Sequence, residues 1–155
     1  MITEKHGDLL DDDADALVNT VNCVGVMGNG IALAFKRRWP AMYASYQEHC
    51  RRGLFRPGSV RSWQAGPAGQ QNTAPLIVNV ATKDHWRDPS RIEWIDQALQ
   101  SLVQLVRDER LRSIAVPPLG CGNGGLDWND VRPRIHRVLG TTLSNVDVRL
   151  YTPEP

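Results

Sequence analysis

Two glycine-rich turns, each following an apolar run, are the residues of this chain best suited to chemistry. The first lies within Asn19-Thr20-Val21-Asn22-Cys23-Val24-Gly25-Val26-Met27-Gly28-Asn29-Gly30-Ile31-Ala32, the second within Pro117-Pro118-Leu119-Gly120-Cys121-Gly122-Asn123-Gly124-Gly125-Leu126. Backbone N–H groups at the start of a helix have no partner inside it, and glycines without a Cβ let a diphosphate approach them closely. The pair points to two loops closing on one phosphorylated ligand. Neither is a common nucleotide fingerprint. Gly28-Asn29-Gly30 lacks the third glycine of the dinucleotide motif, and no Gly-Lys-Ser/Thr follows either loop, which excludes a P-loop and the phosphoryl transfer that depends on it.

Lys83 follows the apolar run Val78-Asn79-Val80-Ala81-Thr82, which delivers its amine to the rim of a pocket. Burial there lowers an amine's pKa towards the nucleophilic form, and a neighbouring diphosphate raises it; the sequence leaves both open. Asn22 closes an earlier strand, and its amide is able both to donate to and to accept from sugar hydroxyls. Asn19, three residues before, falls on the opposite face and reads as structural. Asp8 reads by itself as a helix or turn cap, and so does Asp127. Cys121 has no histidine placed beside it, so it reads as a small residue of a phosphate loop and not as a thiol nucleophile. His85, Trp86, Arg87 and Arg91 put an aromatic platform beside cations, the mixture that single-stranded nucleic acid uses; they read equally as a partly buried anchor and a solvated helix start. Lys36, Arg37 and Arg38 either extend a basic rim or complement a helix dipole.

The elements that must position these groups are legible from periodicity. Strands are predicted over 16–21, 59–63, 76–81, 113–117 and 146–152, with another near Ile2. The clearest helix runs over 90–110, where Ile92, Ile95, Leu99, Leu102, Val103 and Val106 share one stripe. Others are predicted over 30–38, ended by Pro40, over 42–52, ended by Gly53, and over 128–139, where Pro133 delays or kinks the helix. Strands alternating with helices imply a mostly parallel or mixed sheet covered on both faces, with ligands beyond the carboxyl ends of its strands, where both glycine loops sit. Residues 65–75 read as a surface loop.

At 155 residues the chain has room for one domain. Eighteen Lys and Arg against seventeen Asp and Glu give a net charge of +1, so any nucleic-acid contact must be local. No apolar run approaches the roughly 20 residues that span a bilayer, and the polar start Met1-Ile2-Thr3-Glu4-Lys5-His6 lacks a signal-peptide core, so the protein reads as cytosolic. Cys23, Cys50 and Cys121 are too sparse for a disulfide framework or a zinc site.

Gly7-Asp8-Leu9-Leu10, then 16–32, then Thr82-Lys83-Asp84-His85-Trp86, then 116–128 resemble, in that order and over nearly the whole chain, the macrodomain family. Within it they are most similar to the DNA ADP-ribosyl glycohydrolases that act as antitoxins, a branch related to the terminal ADP-ribose glycohydrolases. The resemblance implies a single macrodomain over 1–155 with an α/β fold, a three-layer α/β/α sandwich around a mixed, mostly parallel sheet. It implies ADP-ribose as ligand, with Asp8 and Leu9 at the adenine and Gly28, Asn29, Gly30, Ile31 and Ala32 at the diphosphate. Leu119, Gly120, Cys121, Gly122, Asn123, Gly124 and Gly125 then close from the other side.

The implied reaction is hydrolysis of the N-glycosidic bond between ADP-ribose and thymidine bases in single-stranded DNA. Lys83 and Asn22 are its implied catalytic residues, Asn22 beside the distal ribose, and His85, Trp86, Arg87 and Arg91 meet the DNA. Lys83 either attacks as an amine or protonates the departing base as an ammonium. No metal or organic cofactor is implied. The implied partners are ADP-ribosylated single-stranded DNA and a cognate DNA ADP-ribosyltransferase toxin; the domain is expected to be monomeric and cytoplasmic, with no membrane contact. Members usually continue past this domain, so the chain reads as an isolated piece. A non-catalytic ADP-ribose reader is the main alternative, and a hydrolase of protein-linked ADP-ribose or O-acetyl-ADP-ribose another. In the animal glycohydrolase the second loop carries a catalytic aspartate where this chain has Gly124, and the expected consequence is open space for a bulky nucleotide leaving group.

Overall fold

The structure, a computed structural model, describes residues 1–66 and 74–154. Strands β2 (Ala16–Val21) and β4 (Leu76–Ala81) form its centre, because every residue of both except Thr20 is buried, the pattern of strands covered on two faces. They pair in parallel from Ala16 opposite Leu76 to Val21 opposite Ala81. On the other side of β2 lie β5 (Ser113–Val116), β6 (Asp147–Tyr151) and β1 (Ile2–Lys5), all parallel. β3 (Val60–Gln64) runs antiparallel along β4 and completes the order β1-β6-β5-β2-β4-β3. The sheet is thus mixed and mostly parallel, as expected.

Helices α3 (Ile92–Asp108) and α4 (Trp128–Ile135) cover one face. The α3 stripe of Ile95, Leu99, Leu102, Val103 and Val106 packs there with Val18, Val78, Val80, Ile114 and Val116. Helices α1 (Gly30–Arg38) and α2 (Pro40–Arg51) cover the other, where Phe35, Met42 and Tyr46 meet Leu17, Val21, Ile77 and Ala115. Asn19 and Asn79 are opposite each other in this second core, Asn19 Nδ2 donating to Asn79 Oδ1 at 3.1 Å, which confirms Asn19 as structural.

Helix boundaries differ from expectation for local reasons. Pro40 ends α1 and also opens α2, two residues earlier than predicted, because a first-turn residue needs no N–H. Helix α4 tolerates Pro133 and then widens into a π turn (His136–Gly140), so the predicted single helix is two pieces. Asp8 caps a short 3-10 turn (Leu9–Asp11). Of the loop read at 65–75, residues 67–73 lie outside the described residues.

Candidate active site

Strand order dictates the site. The loops leaving the carboxyl ends of β5, β2 and β4 are neighbours, and among them opens a cleft of about 540 Å³. Clefts of roughly 300–1,000 Å³ are the size that holds small ligands. Asn22, Val26, Gly28, Asn29, Gly30, Ile31 and Ala32 line it from the first glycine loop, and Pro117, Pro118, Gly120, Gly122, Asn123 and Gly124 from the second. Thr20 and Val21 at the end of β2, with Thr82, Lys83 and Trp86, complete it. The two glycine loops face each other across the cleft closely enough that a Cβ at Gly30 would touch Asn123 Nδ2, at 3.7 Å.

The first loop is folded around Asn22. Its Oδ1 accepts from Val24 N at 3.1 Å and Val26 N at 3.3 Å, and its Nδ2 donates to Val26 O at 2.7 Å. The Tyr46 hydroxyl, from α2, points at both Asn22 O and Asn22 Oδ1, each 2.8 Å away. These partners fix the amide's orientation and occupy its oxygen. Asn22 therefore lines the cleft as the organiser of its own loop, with one Nδ2 hydrogen outside these bonds. Tyr43 and Gln47 hold Gly25 O from the same helix, at 3.1 and 3.3 Å.

The β4 loop is zipped to β2. Thr82 N donates to Val21 O at 3.0 Å and Cys23 N to Asp84 O at 2.9 Å. Lys83, half-buried, donates from Nζ to Trp86 O at 3.1 Å and so holds its amine on the cleft rim. Ser90 joins this loop to the second glycine loop: its Oγ donates to Thr82 O at 2.6 Å, and its N donates to Gly124 O at 2.9 Å.

Gly124 is not a vacancy left by a lost side chain. A Cβ there would stand 2.4 Å from Gly120 O and 2.6 Å from Ser90 Oγ, so the expected open space does not exist and the backbone itself fills it. Gly120, at φ 73°, likewise has Leu126 Cδ1 within 2.9 Å of where a Cβ would sit.

Several expected site residues stand apart from the cleft. Leu119 is fully buried in the α3 side of the core, and Leu9 in the α1 side, so only their backbones are available to a ligand. Asp8 is exposed, and its Oδ1 caps the 3-10 turn by accepting from Leu10 N at 3.0 Å. Cys121 and Gly125 do not line the cleft; burial, with Asp127 nearby, pushes the Cys121 thiol up to about 11, which makes it a poor nucleophile. Cys23 is pushed up to about 12 by burial and Asp84. Asp127 caps α4, accepting from Asn129 N at 2.9 Å.

The expected DNA-facing set divides. Trp86, half exposed, has the His85 ring tilted against it with centroids 5.2 Å apart and the Arg87 guanidinium 5.2 Å over its ring, whereas Arg91 immediately precedes α3 and sits over Trp94 instead. Lys36, Arg37 and Arg38 end α1, roughly 12 Å along the helix from the loop that starts it, and Lys36 lies 4.4 Å over the Tyr43 ring. They are not part of the rim. Among the described residues no three His, Cys, Asp or Glu side chains are grouped to hold a metal ion, and no helix is long and apolar enough to cross a membrane.

Sequence reasoning missed Tyr46, Gln47 and Ser90. The turn Asn22 makes with Val24 has a local signal, an asparagine two residues before a tight turn. Tyr46 and Gln47 act on residues more than twenty positions away, and nothing local marks them.

Comparison with known proteins fixes the family. The Macro domain family model matches residues 18–135. A DNA ADP-ribosyl glycohydrolase of Mycobacterium tuberculosis is 48% identical over 153 residues, 99% of this chain and 42% of the relative. The chain thus spans about two fifths of the length of the curated relatives it matches. The solved macrodomain of Mycobacterium tuberculosis DarG superposes with a TM-score of 0.93 at 48% identity, covering 99% of each chain. Thermosipho africanus DarTG, solved in complex with ADP-ribose, gives 0.90 at 32% identity over 98% of this chain and 41% of that one. A glycine-looped cleft at the carboxyl edge of a six-stranded mixed sheet, matched over its whole length by a DarG macrodomain, places this chain in the macrodomain family.

Proposed function

We propose that this domain removes ADP-ribose from thymidine bases of single-stranded DNA and so reverses the action of a DNA ADP-ribosylating toxin. The observation that carries the reading is the meeting, in one cleft, of two glycine loops rich in backbone donors with the Lys83 amine and the Trp86 ring. The names of the relatives supply the substrate class. Backbone N–H groups of Gly28, Asn29, Gly30, Ile31 and Ala32, and of Gly120, Gly122, Asn123 and Gly124, take the diphosphate, whereas those of Cys121 and Gly125 are held by Pro118 O and Gly122 O. Asp8 Oδ2, which has no hydrogen bond among the described residues, is left to receive the adenine amino group beside the Leu9 backbone.

Hydrolysis breaks the bond from ribose C1″ to the thymine nitrogen. Water oxygen bonds to C1″, and a proton returns to the base. Lys83 serves either as the attacking amine, released by water afterwards, or as the ammonium that protonates the departing base. Asn22 contributes its remaining Nδ2 hydrogen and the shape of the first loop. The toxin is the expected partner, and we place the domain in the bacterial cytoplasm as a monomer.

The test is incubation with a thymidine-ADP-ribosylated oligonucleotide. Free ADP-ribose is expected from the wild type and none from Lys83→Ala. Retention of the modified strand without release identifies a reader and overturns the enzymatic reading. Preferential release from protein-linked ADP-ribose or from O-acetyl-ADP-ribose overturns the DNA assignment.

A further inference from the structure

The near-neutral total charge conceals a sharp division. Residues 22–91 hold ten Lys and Arg against three Asp and Glu, whereas the rest of the chain holds eight against fourteen. The ion pairs follow the same division: Lys5, Arg132, Arg134 and Arg149 all meet carboxylates in the acidic part. Of the cations in 22–91 only Arg51 does so among the described residues, with Glu48 at 2.5 Å.

Several of the remaining cations gather beside the cleft. The last turn of α2 lies under the first glycine loop, where Gln47 Nε2 donates to Gly25 O at 3.3 Å and a Cβ at Gly25 would be 3.7 Å from Cys50 Cβ. His49 is on that turn and Arg52 follows it. The chain then passes Arg56 and returns along the end of β4, Gly58 N donating to Ala81 O at 2.7 Å, two residues before Lys83. Arg61 follows on β3, opposite Asn79. Arg52 and Arg56 are exposed, and His49 and Arg61 half-buried. The proximity of these groups is felt by His49, whose pKa is lowered by burial and then by Arg61 and Arg52, against the opposing pull of Glu48, itself paired with Arg51. Unpaired like charges held together in this way favour an anionic partner.

We propose that the shoulder formed by Arg52, Arg56, Arg61 and His49 grips the phosphodiester backbone of the strand flanking the modified base, while that base enters the cleft past Trp86. The proposal rests on the DNA reading of the site. Phosphate contacts of this kind position a strand without reading its sequence, so the shoulder supplies affinity and register.

The experiment compares the wild type with Arg52→Gln/Arg56→Gln/Arg61→Gln. The first probe is a short, unmodified fluorescent oligo-dT read by anisotropy across a salt series. Each neutralised phosphate on a single strand contributes about 0.7 to the log–log salt slope, so losing three arginines is expected to flatten it by about 2 and to weaken low-salt binding roughly tenfold or more. Unchanged slope and affinity overturn the proposal, and so does oligo-rU binding at least about tenfold tighter than oligo-dT, which assigns the shoulder to RNA. The ADP-ribose-induced rise in melting temperature is expected to be the same in both proteins. If the triple variant loses it, the exposed single changes Arg52→Gln and Arg56→Gln are read instead, each expected to flatten the slope by about 0.7.

The second probe is turnover. kcat/KM on a modified oligonucleotide is expected to fall in the variant while that on ADP-ribosyl-thymidine nucleoside stays unchanged; equal loss on both, or loss on neither, overturns the proposal. Failure of the wild type to turn over either substrate refutes the proposed function, and the anisotropy measurement then still decides the fate of the shoulder.

Discussion

Replacing Gly124 by alanine puts a methyl carbon 2.4 Å from Gly120 O and 2.6 Å from Ser90 Oγ. Both neighbours are held, Gly120 by the turn it begins and Ser90 by its bond to Thr82 O at 2.6 Å, so neither rotates out of the way. Reaching the 3.4 Å at which ordinary contact begins requires a displacement of about 1 Å. Overpacking of this size costs about 1–3 kcal/mol, which in a domain of this length lowers the melting temperature by roughly 3–10 °C. The displacement also runs along the line from Gly124 through Ser90 to Thr82 and Lys83, and a misplacement of about 1 Å in a reacting geometry costs about 100-fold in rate. kcat/KM for ADP-ribose release is therefore expected to fall by about that factor, with melting measured alongside. Gly122→Ala is the control for stability, because nothing lies within 4 Å of its Cβ position. Gly124→Asp, a larger side chain at the same place, is expected to be no better than Gly124→Ala. Wild-type melting and turnover in Gly124→Ala would refute the reasoning, since they would show that the loop yields without consequence.

Two further outcomes follow from buried polar groups. Tyr46→Phe removes the hydroxyl that Asn22 O and Oδ1 share; Oδ1 keeps Val24 N and Val26 N, so Asn22 O is the buried acceptor left without it, a loss of about 1–3 kcal/mol in chemical denaturation with weaker ADP-ribose binding by calorimetry. The Asp12 carboxyl is fully buried; burial raises its pKa, but hydrogen bonds from Tyr151, Arg149, the Ala14 N–H and Lys5 outweigh that and hold it at about 2. Its folded value lies below the ordinary one of about 3.9, so its contribution of about 2 kcal/mol is present above pH 4 and is lost as the pH falls towards 2. Melting temperature against pH is expected to drop across that window in the wild type and to be flatter in Asp12→Asn.

The central strands were legible because burial on both faces leaves little but apolar residues, as in Leu76-Ile77-Val78 and Ala16-Leu17-Val18. The α3 stripe was legible because one buried face imposes its spacing directly on the residues. The two glycine loops and Lys83 were legible because each follows such a strand, and the sheet then brings them together. What escaped is what depends on distant partners. The partners that orient Asn22 include Tyr46, from a distant helix, and the space at Gly124 looked open because Ser90 closes it from another loop. The basic shoulder escaped because its arginines were weighed against the acids of the whole chain, and those acids pair with other cations on other elements.

Loops that carry chemistry are ordinarily the least anchored parts of a domain, and a glycine-rich cleft has few side chains to stiffen it. Here the anchoring comes from both layers of the sandwich. On the α2 side, Tyr46, Tyr43 and Gln47 hold the loop that follows β2. On the α3 side, Ser90 holds the loops that follow β4 and β5. Between the two sides the distance is set by the sheet itself, through Thr82 N to Val21 O and Cys23 N to Asp84 O. The position of the Lys83 amine relative to the two glycine loops is therefore inherited from the strand spacing and not left to loop sampling, which is the condition for a site to meet its ligand already arranged. On the proposed reading the nucleotide end of the ligand then needs no side-chain charge within the glycine loops, because fixed backbone donors at a helix N-terminus already favour a diphosphate.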